Sequence, residues 1–195
     1  MSMHSRRIGC RGFTLVELMV TLSVATILAL VASPSLITYK RNVELTSATN
    51  TLFAAINAAR GEAMKRGMNA VVLPADGVNW TSGWVVFIDT NRNRTYDATT
   101  DTLVLTQGAL SSYLAVSGTG NAAGTSPYII YDASGYARLA NGSPIANLSL
   151  SLSRNDVSGS AVYEETRRIK IARTGRIRTC KPTSSSDTNC STAAD

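Results

Sequence analysis

The stretch GFTLVE, residues 12–17, is the most informative part of the chain because it joins a basic leader to a long apolar run. Residues 1–12 carry three arginines and no acid, and residues 18–33 carry no charge at all. A secretory signal peptide has the same order of basic and apolar segments. Glu17 argues against that interpretation, because a carboxylate at bilayer depth is costly and needs a partner.

Residues 12–17, followed at once by an apolar helix, resemble the N-terminal signature of type IV pilins and type II secretion pseudopilins. The resemblance implies that a prepilin peptidase cuts between Gly12 and Phe13 and methylates the new N-terminus. The apolar segment would then stay on the mature protein. Glu17 would pair with the N-terminal amine of a neighbouring subunit in a filament, which would offset its desolvation. An ordinary signal peptide or a plain single-pass anchor leaves this motif unexplained.

Length and charge fit one domain behind a membrane anchor. Of the 195 residues, we assign 1–12 to the leader, 13–34 to a transmembrane and filament-core helix, and 35–195 to an exported globular domain. The net charge is +6 with the leader and +3 without its three arginines. We expect a single-pass inner-membrane protein that moves to the periplasm or cell surface in a pilus or pseudopilus.

The cysteine and histidine counts exclude several chemistries. Cys10 and His4, the only histidine, belong to the leader. The mature chain keeps Cys180 and Cys190, and two cysteines ten positions apart in an exported domain suggest a disulfide. No imidazole remains for a zinc site or for Ser-His catalysis. We therefore predict no enzyme activity, no metal and no cofactor.

The apolar pattern changes period along the chain. From Phe13 to about Arg66 we predict one long helix, apolar all round at first and amphipathic later. The buried face of its second half would comprise Leu45, Ala48, Leu52, Ala55, Ile56, Ala59 and Ala63. Gly67 is placed to cap the helix, and nine short β-like runs follow. The predicted class is α+β, with the type IV pilin fold: a long N-terminal helix packed on antiparallel β-sheet.

Residues 167–181 carry seven basic residues and no acidic one. Because side chains alternate along a strand, Arg168 would share a face with Lys170, and Arg176 with Arg178. A hairpin would bring both pairs to one solvent face as a basic ridge. Charged outward positions often serve only to prevent aggregation, but seven unopposed cations favour polyanion binding. The segment has no aromatic residue for base stacking, which favours the phosphates of duplex DNA.

Three motifs resemble the FimT/GspH family of minor pilins and minor pseudopilins. They are residues 59–67, residues 83–89 and the GRIR sequence of residues 175–178. The first two fit both branches, whereas the third is similar to the Gly-Arg-x-Arg element of the branch that binds DNA during natural transformation.

That resemblance implies that Arg176 and Arg178 bind DNA and that Gly175 shapes the turn. Strand alternation, and not the resemblance, adds Arg173 and Lys170 to the same surface. The predicted function is a minor type IV pilin that binds duplex DNA without sequence preference and assists its uptake. The alternative is a minor pseudopilin with an assembly role and no DNA binding. The partners expected are the prepilin peptidase, other pilins through the N-terminal helix, the membrane and duplex DNA.

Residues 89–93, DTNRN, resemble a calcium loop only faintly. Arg94 stands where such a loop needs glycine, and Thr100 stands where it needs an acid. We predict instead that the side chains of Asp89, Asn91 and Asn93 cap a turn.

Overall fold

A computed structural model describes residues 12–192, with residues 31–34 described only as helix. The first eleven residues, including Cys10 and His4, lie outside the described residues. The chain divides into two compact units, Met1–Arg41 and Asn42–Asp195.

Helix α1 spans Leu15–Arg66, and a hydroxyl caps its N-terminus. The Thr14 Oγ1 atom accepts a hydrogen bond from the N–H of Glu17 at 3.2 Å, and an acid in the first turn is also favoured by the helix dipole. Among the described residues, no single helix is both long and apolar enough to cross a bilayer. Only as a bent pair do the segments Leu15–Leu30 and Ser35–Arg66 have the length and apolar composition of a membrane span.

The second half of α1 supplies its predicted face to the core. Six of the seven predicted residues are at most 1% exposed, and Ala48 is partly buried against them. The helix ends at Gly67, whose φ of 67° is left-handed. The N–H of Met68 then donates to the Ala63 carbonyl at 3.2 Å. This pattern satisfies a carbonyl that the helix end would leave unpaired and confirms the predicted cap.

In the described residues, nine strands follow α1, and each overlaps one predicted run. They are β1 (Ala70–Pro74), β2 (Trp84–Ile88), β3 (Thr102–Gln107), β4 (Leu114–Gly118), β5 (Ile129–Tyr131), β6 (Ala137–Arg138), β7 (Leu148–Arg154), β8 (Thr166–Ile171) and β9 (Ile177–Cys180). A short helix that the sequence did not predict, α2 (Ala161–Glu164), lies between β7 and β8.

The strands form two antiparallel sheets. The first sheet has the order β3-β2-β1-β5-β6, and the second has the order β4-β7-β8-β9. Both bury side chains in one core with α1, represented by Trp84 from the first sheet, Leu150 from the second and Ile56 from the helix. The predicted α+β pilin-like class is confirmed, whereas the strand order could not be predicted.

One arginine of α1 connects the helix to a turn of each sheet. The Nε atom of Arg60 donates to the Gly135 carbonyl at 2.9 Å, in the turn between β5 and β6. Its Nη2 atom donates to the Thr174 carbonyl at 3.4 Å, in the turn between β8 and β9. Arg60 therefore fixes where the basic β8–β9 turn sits on the globular unit.

Gly175 is required at this turn for two independent reasons. Its φ is 78°, in the left-handed region that side chains disfavour. A Cβ atom at this position would also lie 1.9 Å from the Gly135 carbonyl oxygen and 3.1 Å from Nε of Arg60. The predicted turn role of Gly175 thus includes a close approach between the two turns.

We expect Gly175→Ala to destabilise the protein by about 2–4 kcal/mol, from left-handed strain and the disturbed Arg60 hydrogen bonds. Gly142→Ala is a matched control, because Gly142 has a φ of 81° but nothing within 4 Å of its added Cβ. The control should lose only about 1–2 kcal/mol from backbone strain. Denaturant unfolding of the full chain in detergent measures both, and equal losses would contradict the close-approach argument.

Candidate functional site

The basic segment, residues 167–181, folds into the hairpin that its alternation predicts. Strands β8 and β9 pair antiparallel, and the N–H of Gly175 closes the turn by donating to the Ala172 carbonyl at 2.8 Å. Ile169 and Ile171 are at most 1% exposed and face the core. The basic side chains at alternate positions therefore face away from it.

Two cross-strand rows define this other side of the second sheet. Lys170 lies between Ser149 of β7 and Arg178 of β9, and Arg168 lies between Ser151 and Cys180. These six residues are called the outer face below. The predicted arrangement of cations on a common face is present.

The outer face is not an open ridge, and the predicted exposure of Lys170 is wrong. Lys170 is 3% exposed, so it cannot reach the phosphates of an external duplex in this structure. Arg168 and Arg178 are only partly exposed. A strand face opposite the core commonly meets solvent, but here another part of the chain covers it.

The covering segment is the C-terminal tail, residues 181–192. The Asn189 carbonyl accepts a hydrogen bond from Nη2 of Arg178 at 3.0 Å, and the Cys190 carbonyl accepts one from Nη1 of Arg168. The Thr192 carbonyl accepts another from the Ser149 hydroxyl at 3.4 Å. The bonds to Arg178 and Ser149 lie on the two sides of Lys170 in its cross-strand row, and we attribute the burial of Lys170 to the tail.

A disulfide and one carboxylate shape the tail. Cys180 and Cys190 are bonded with Cα atoms 5.8 Å apart, which confirms the predicted pair. The Asp187 carboxylate accepts backbone N–H donors from Thr183, Asn189 and Cys190 at 2.9–3.1 Å. The tail is therefore an ordered loop and not a loose Ser/Thr-rich end.

The electrostatics of the outer face follow from this cover. Burial lowers the pKa of the Arg168 guanidinium from its ordinary value, and the Asp187 carboxylate offsets part of that effect. Hydrogen bonds from the backbone of Thr183 and then of Cys190 hold the pKa of Asp187 below its ordinary 3.8. The tail thus brings both carbonyl dipoles and a negative charge to the cations.

Three cations of the segment remain exposed, namely Arg173, Arg176 and Lys181. Arg176 lines a depression of about 260 Å³ together with Arg178, Ala172 and Thr174. We call these four residues the arginine pocket. Its volume is below the roughly 300–1,000 Å³ of pockets that enclose small organic ligands, and its size and charge suit a single anionic group.

The loop after β2 is held by its own side chains. The Asp89 carboxylate, 2% exposed, accepts the backbone N–H groups of Asn93 and Arg94 at 3.1 and 3.0 Å. The Asn91 side chain also accepts from the N–H of Asn93 at 3.1 Å. These hydrogen bonds confirm the predicted turn capping. Among the described residues, no cluster of metal-ligating side chains is present.

The predicted processing and assembly residues lie in the first unit. Gly12 and Phe13 lie before α1 and are separated from it by Thr14, and Glu17 lies in the first turn of the helix. Their roles in cleavage and filament assembly stay predictions.

Two residues that organise the site were missed by sequence reasoning. No contact was predicted for Arg60, although its hydrogen bonds reach residues 75 and 114 positions away along the chain. No role was predicted for Asp187 in the tail that the Cys180–Cys190 disulfide closes. The spacing of Asp187 from Asn189, two residues on, is typical of an Asx turn and could have indicated local order.

We expect the tail to loosen below about pH 4. Because the folded pKa of Asp187 is lowered, its stabilising effect is present above the unfolded value of about 3.9 and is lost as the pH falls through the folded value. Hydrogen-exchange protection factors of the Asn189 and Cys190 amides should fall in that range.

In the Asp187→Asn variant, the Asn189 and Cys190 amides should be less protected from hydrogen exchange at neutral pH. Their protection factors should also no longer fall when the pH is lowered. An identical acid response in the variant would contradict the role of Asp187.

The fold resembles that of known pilin-like proteins. The type IV minor pilin FimU of Pseudomonas aeruginosa is 14% identical and superposes with a TM-score of 0.54, over 75% of this chain and 99% of that chain. A second crystal form of FimU gives 15% identity and a TM-score of 0.52, over 71% of this chain and 93% of that chain. The minor pseudopilin EpsH of the Vibrio cholerae Type 2 Secretion System is 15% identical, with a TM-score of 0.49 over 72% and 99%. At these identities the likeness concerns the fold alone.

Two family models match the sequence itself, although no curated protein shows significant similarity to it. Residues 7–33 match the prokaryotic N-terminal methylation motif, and residues 48–175 match the Type II transport protein GspH model. The second match covers more than half of the chain and stops directly before Arg176. The chain therefore belongs to the GspH family of minor pilins and pseudopilins.

Proposed function

We propose that this protein is a minor type IV pilin that binds duplex DNA non-specifically at the arginine pocket and assists DNA uptake in natural transformation. The observation that carries the proposal is the pairing of Arg176 with Arg178 around one depression. Two guanidinium groups and the Thr174 hydroxyl offer several donors to one phosphate, and arginine suits this role through its planar fork. Arg173, exposed on the same turn, extends the contact along a backbone.

The turn that carries the arginines is rigid, which favours binding. Arg60 and the Gly135 carbonyl hold the turn from beneath, so little order must be gained when an anion arrives. Preorganised donors lose less free energy on binding than mobile ones. The GspH-family match ends at residue 175, so this part of the proposal depends on the site and not on family membership.

Duplex DNA is preferred over single strands because the pocket offers no stacking surface. Its four lining residues contain no aromatic ring, and sequence-independent single-strand binding relies on such rings. Contacts to phosphates alone carry no sequence information, which is why we propose non-specific binding.

The second candidate is a minor pseudopilin of a type II secretion system, with an assembly role and no DNA binding. The observation that favours it is the family match itself, which covers residues 48–175 and is described as a type II transport protein. In that case the arginine pocket would contact an acidic surface of another pseudopilin or would serve solubility alone.

Both candidates share the same route into a filament. We propose that prepilin peptidase cuts between Gly12 and Phe13, and that the helix from Phe13 then holds the protein in the inner membrane before assembly. Assembly would place residues 35–195 in the periplasm or at the cell surface. Glu17 would pair with the amine of a neighbouring subunit, because a charge in an apolar filament core needs a partner.

We expect Arg176→Gln with Arg178→Gln to weaken duplex DNA binding by roughly tenfold or more for each arginine, as charge-assisted hydrogen bonds are lost. Binding by the wild type should show a log K against log salt slope of about −2, for one phosphate in the arginine pocket and one at Arg173, and the slope of the variant should be shallower by about 1. Fluorescence titration of the oxidised full chain in detergent measures both.

A charge-matched control is Arg92→Gln with Arg94→Gln, which removes two exposed arginines from the loop after β2. It should leave binding nearly unchanged. Equal losses in the two variants would mean that only net charge matters, and absent wild-type binding at low salt would favour the pseudopilin candidate.

We expect the membrane-extracted protein to begin at a methylated Phe13, as read by intact-mass spectrometry. Glu17→Gln should be cut and inserted normally but should enter filaments poorly, because the lost pairing is made between subunits. A mature N-terminus near residue 33 would contradict the pilin-type processing.

A further inference from the structure

The outer face of the second sheet has the composition of an anion-binding surface. Its two rows, Ser149–Lys170–Arg178 and Ser151–Arg168–Cys180, combine three cations with two hydroxyl groups. All six side chains lie opposite the core side, where Leu150 and Ile169 are fully buried. Three cations side by side on a sheet repel one another unless a neighbouring group supplies negative charge.

The tail supplies that negative charge as a ligand would. Carbonyl oxygens of Asn189 and Cys190 accept from the guanidinium groups of Arg178 and Arg168, and the Asp187 carboxylate interacts with Arg168. In a complex, the same two guanidinium groups would donate hydrogen bonds to phosphate oxygens. The tail therefore occupies a surface for which a polyanion would compete.

The disulfide is what keeps the tail in place. Beyond Cys180, the hydrogen bonds of residues 181–192 to the outer face include those to Ser149, Arg168 and Arg178, and Cys190 is 2% exposed in the middle of this contact. Without the covalent link, the conformational entropy of twelve residues opposes these hydrogen bonds and the turn around Asp187. Loss of the link should release the tail.

We infer that the tail closed by Cys180–Cys190 masks a second, latent polyanion surface made by Arg168 and Lys170, next to Arg178 of the arginine pocket, and that reduction of this disulfide exposes it. The inference rests on the proposed function in naming duplex DNA as the polyanion. It goes beyond that function by making the number of phosphate contacts depend on the redox state of the tail.

The step needs a dithiol, either a small molecule or a thiol–disulfide oxidoreductase. One thiolate of the dithiol attacks a sulfur of the Cys180–Cys190 bond and forms a mixed disulfide, and its second thiol completes the exchange. The dithiol is oxidised to a disulfide, and Cys180 and Cys190 each end as a thiol. Two electrons and two protons pass from the dithiol to the protein.

The test is titration of the full chain in detergent with a short duplex DNA of arbitrary sequence, before and after treatment with dithiothreitol. Exposure of Arg168 and Lys170 adds two cations, so the salt slope should become steeper by about 2. Affinity at low salt should rise about tenfold or more. The double variant Cys180→Ser with Cys190→Ser should behave as the reduced chain without any reductant.

A second variant separates the latent surface from the arginine pocket. Arg168→Gln should leave DNA binding by the oxidised chain unchanged but should remove about half of the gain in slope that follows reduction. Because Arg168 is only partly buried, this variant is expected to fold, and its melting temperature checks that it does.

The outcomes distinguish this inference from the proposed function. If the oxidised chain binds and reduction leaves slope and affinity unchanged, or lowers them, the latent surface is refuted and the arginine pocket stands. If only the reduced chain binds, the latent surface stands and the proposed pocket falls. If neither form binds at low salt, both are refuted.

Discussion

The structure depends on one buried stripe along the second half of α1. Both sheets place their inner faces against it, so that Val86 of the first sheet and Leu152 of the second share a core with Leu52. Burial of such apolar area is the main favourable term in folding. Toward its C-terminal end the stripe narrows to Ala59 and Ala63, both fully buried. Small side chains let a helix approach its neighbours closely. This close approach brings Arg60, the residue after Ala59, within reach of both sheets.

Arg60 fixes the position of the arginine pocket on this packed core. Its guanidinium joins the β5–β6 turn to the β8–β9 turn through two backbone carbonyls, and Gly175 leaves the space in which the turns meet. The burial of the Tyr131 ring nearby raises the pKa of its hydroxyl, an effect that the Arg60 charge partly opposes. The turn that carries the arginine pocket is therefore held in place by contacts to the packed part of the protein.

The charge count of the basic segment overstates the charge that faces solvent. Three of its seven cations lie on the outer face, where tail carbonyls and Asp187 partly neutralise them. The exposed remainder gathers at the hairpin turn and near Cys180. A tail rich in serine and threonine, with one well-placed acid and one disulfide, can thus change the electrostatics of a strand that precedes it. The exposed arginine pocket thus differs from the outer face, which the tail covers.

Local patterns in the sequence predicted the extent of α1 and its cap at Gly67, the approximate positions of the strands, the β8–β9 hairpin and the pairing of Cys180 with Cys190, because helix period, strand alternation and turn residues act over a few positions. The two sheets and their strand order, the place of Arg60 and the burial of Lys170 were set by the tertiary structure. Those outcomes depend on contacts between segments far apart in the chain, such as Arg60 with Thr174. No local pattern carries that information, because the free energy of such contacts exists only once the core has brought the segments together.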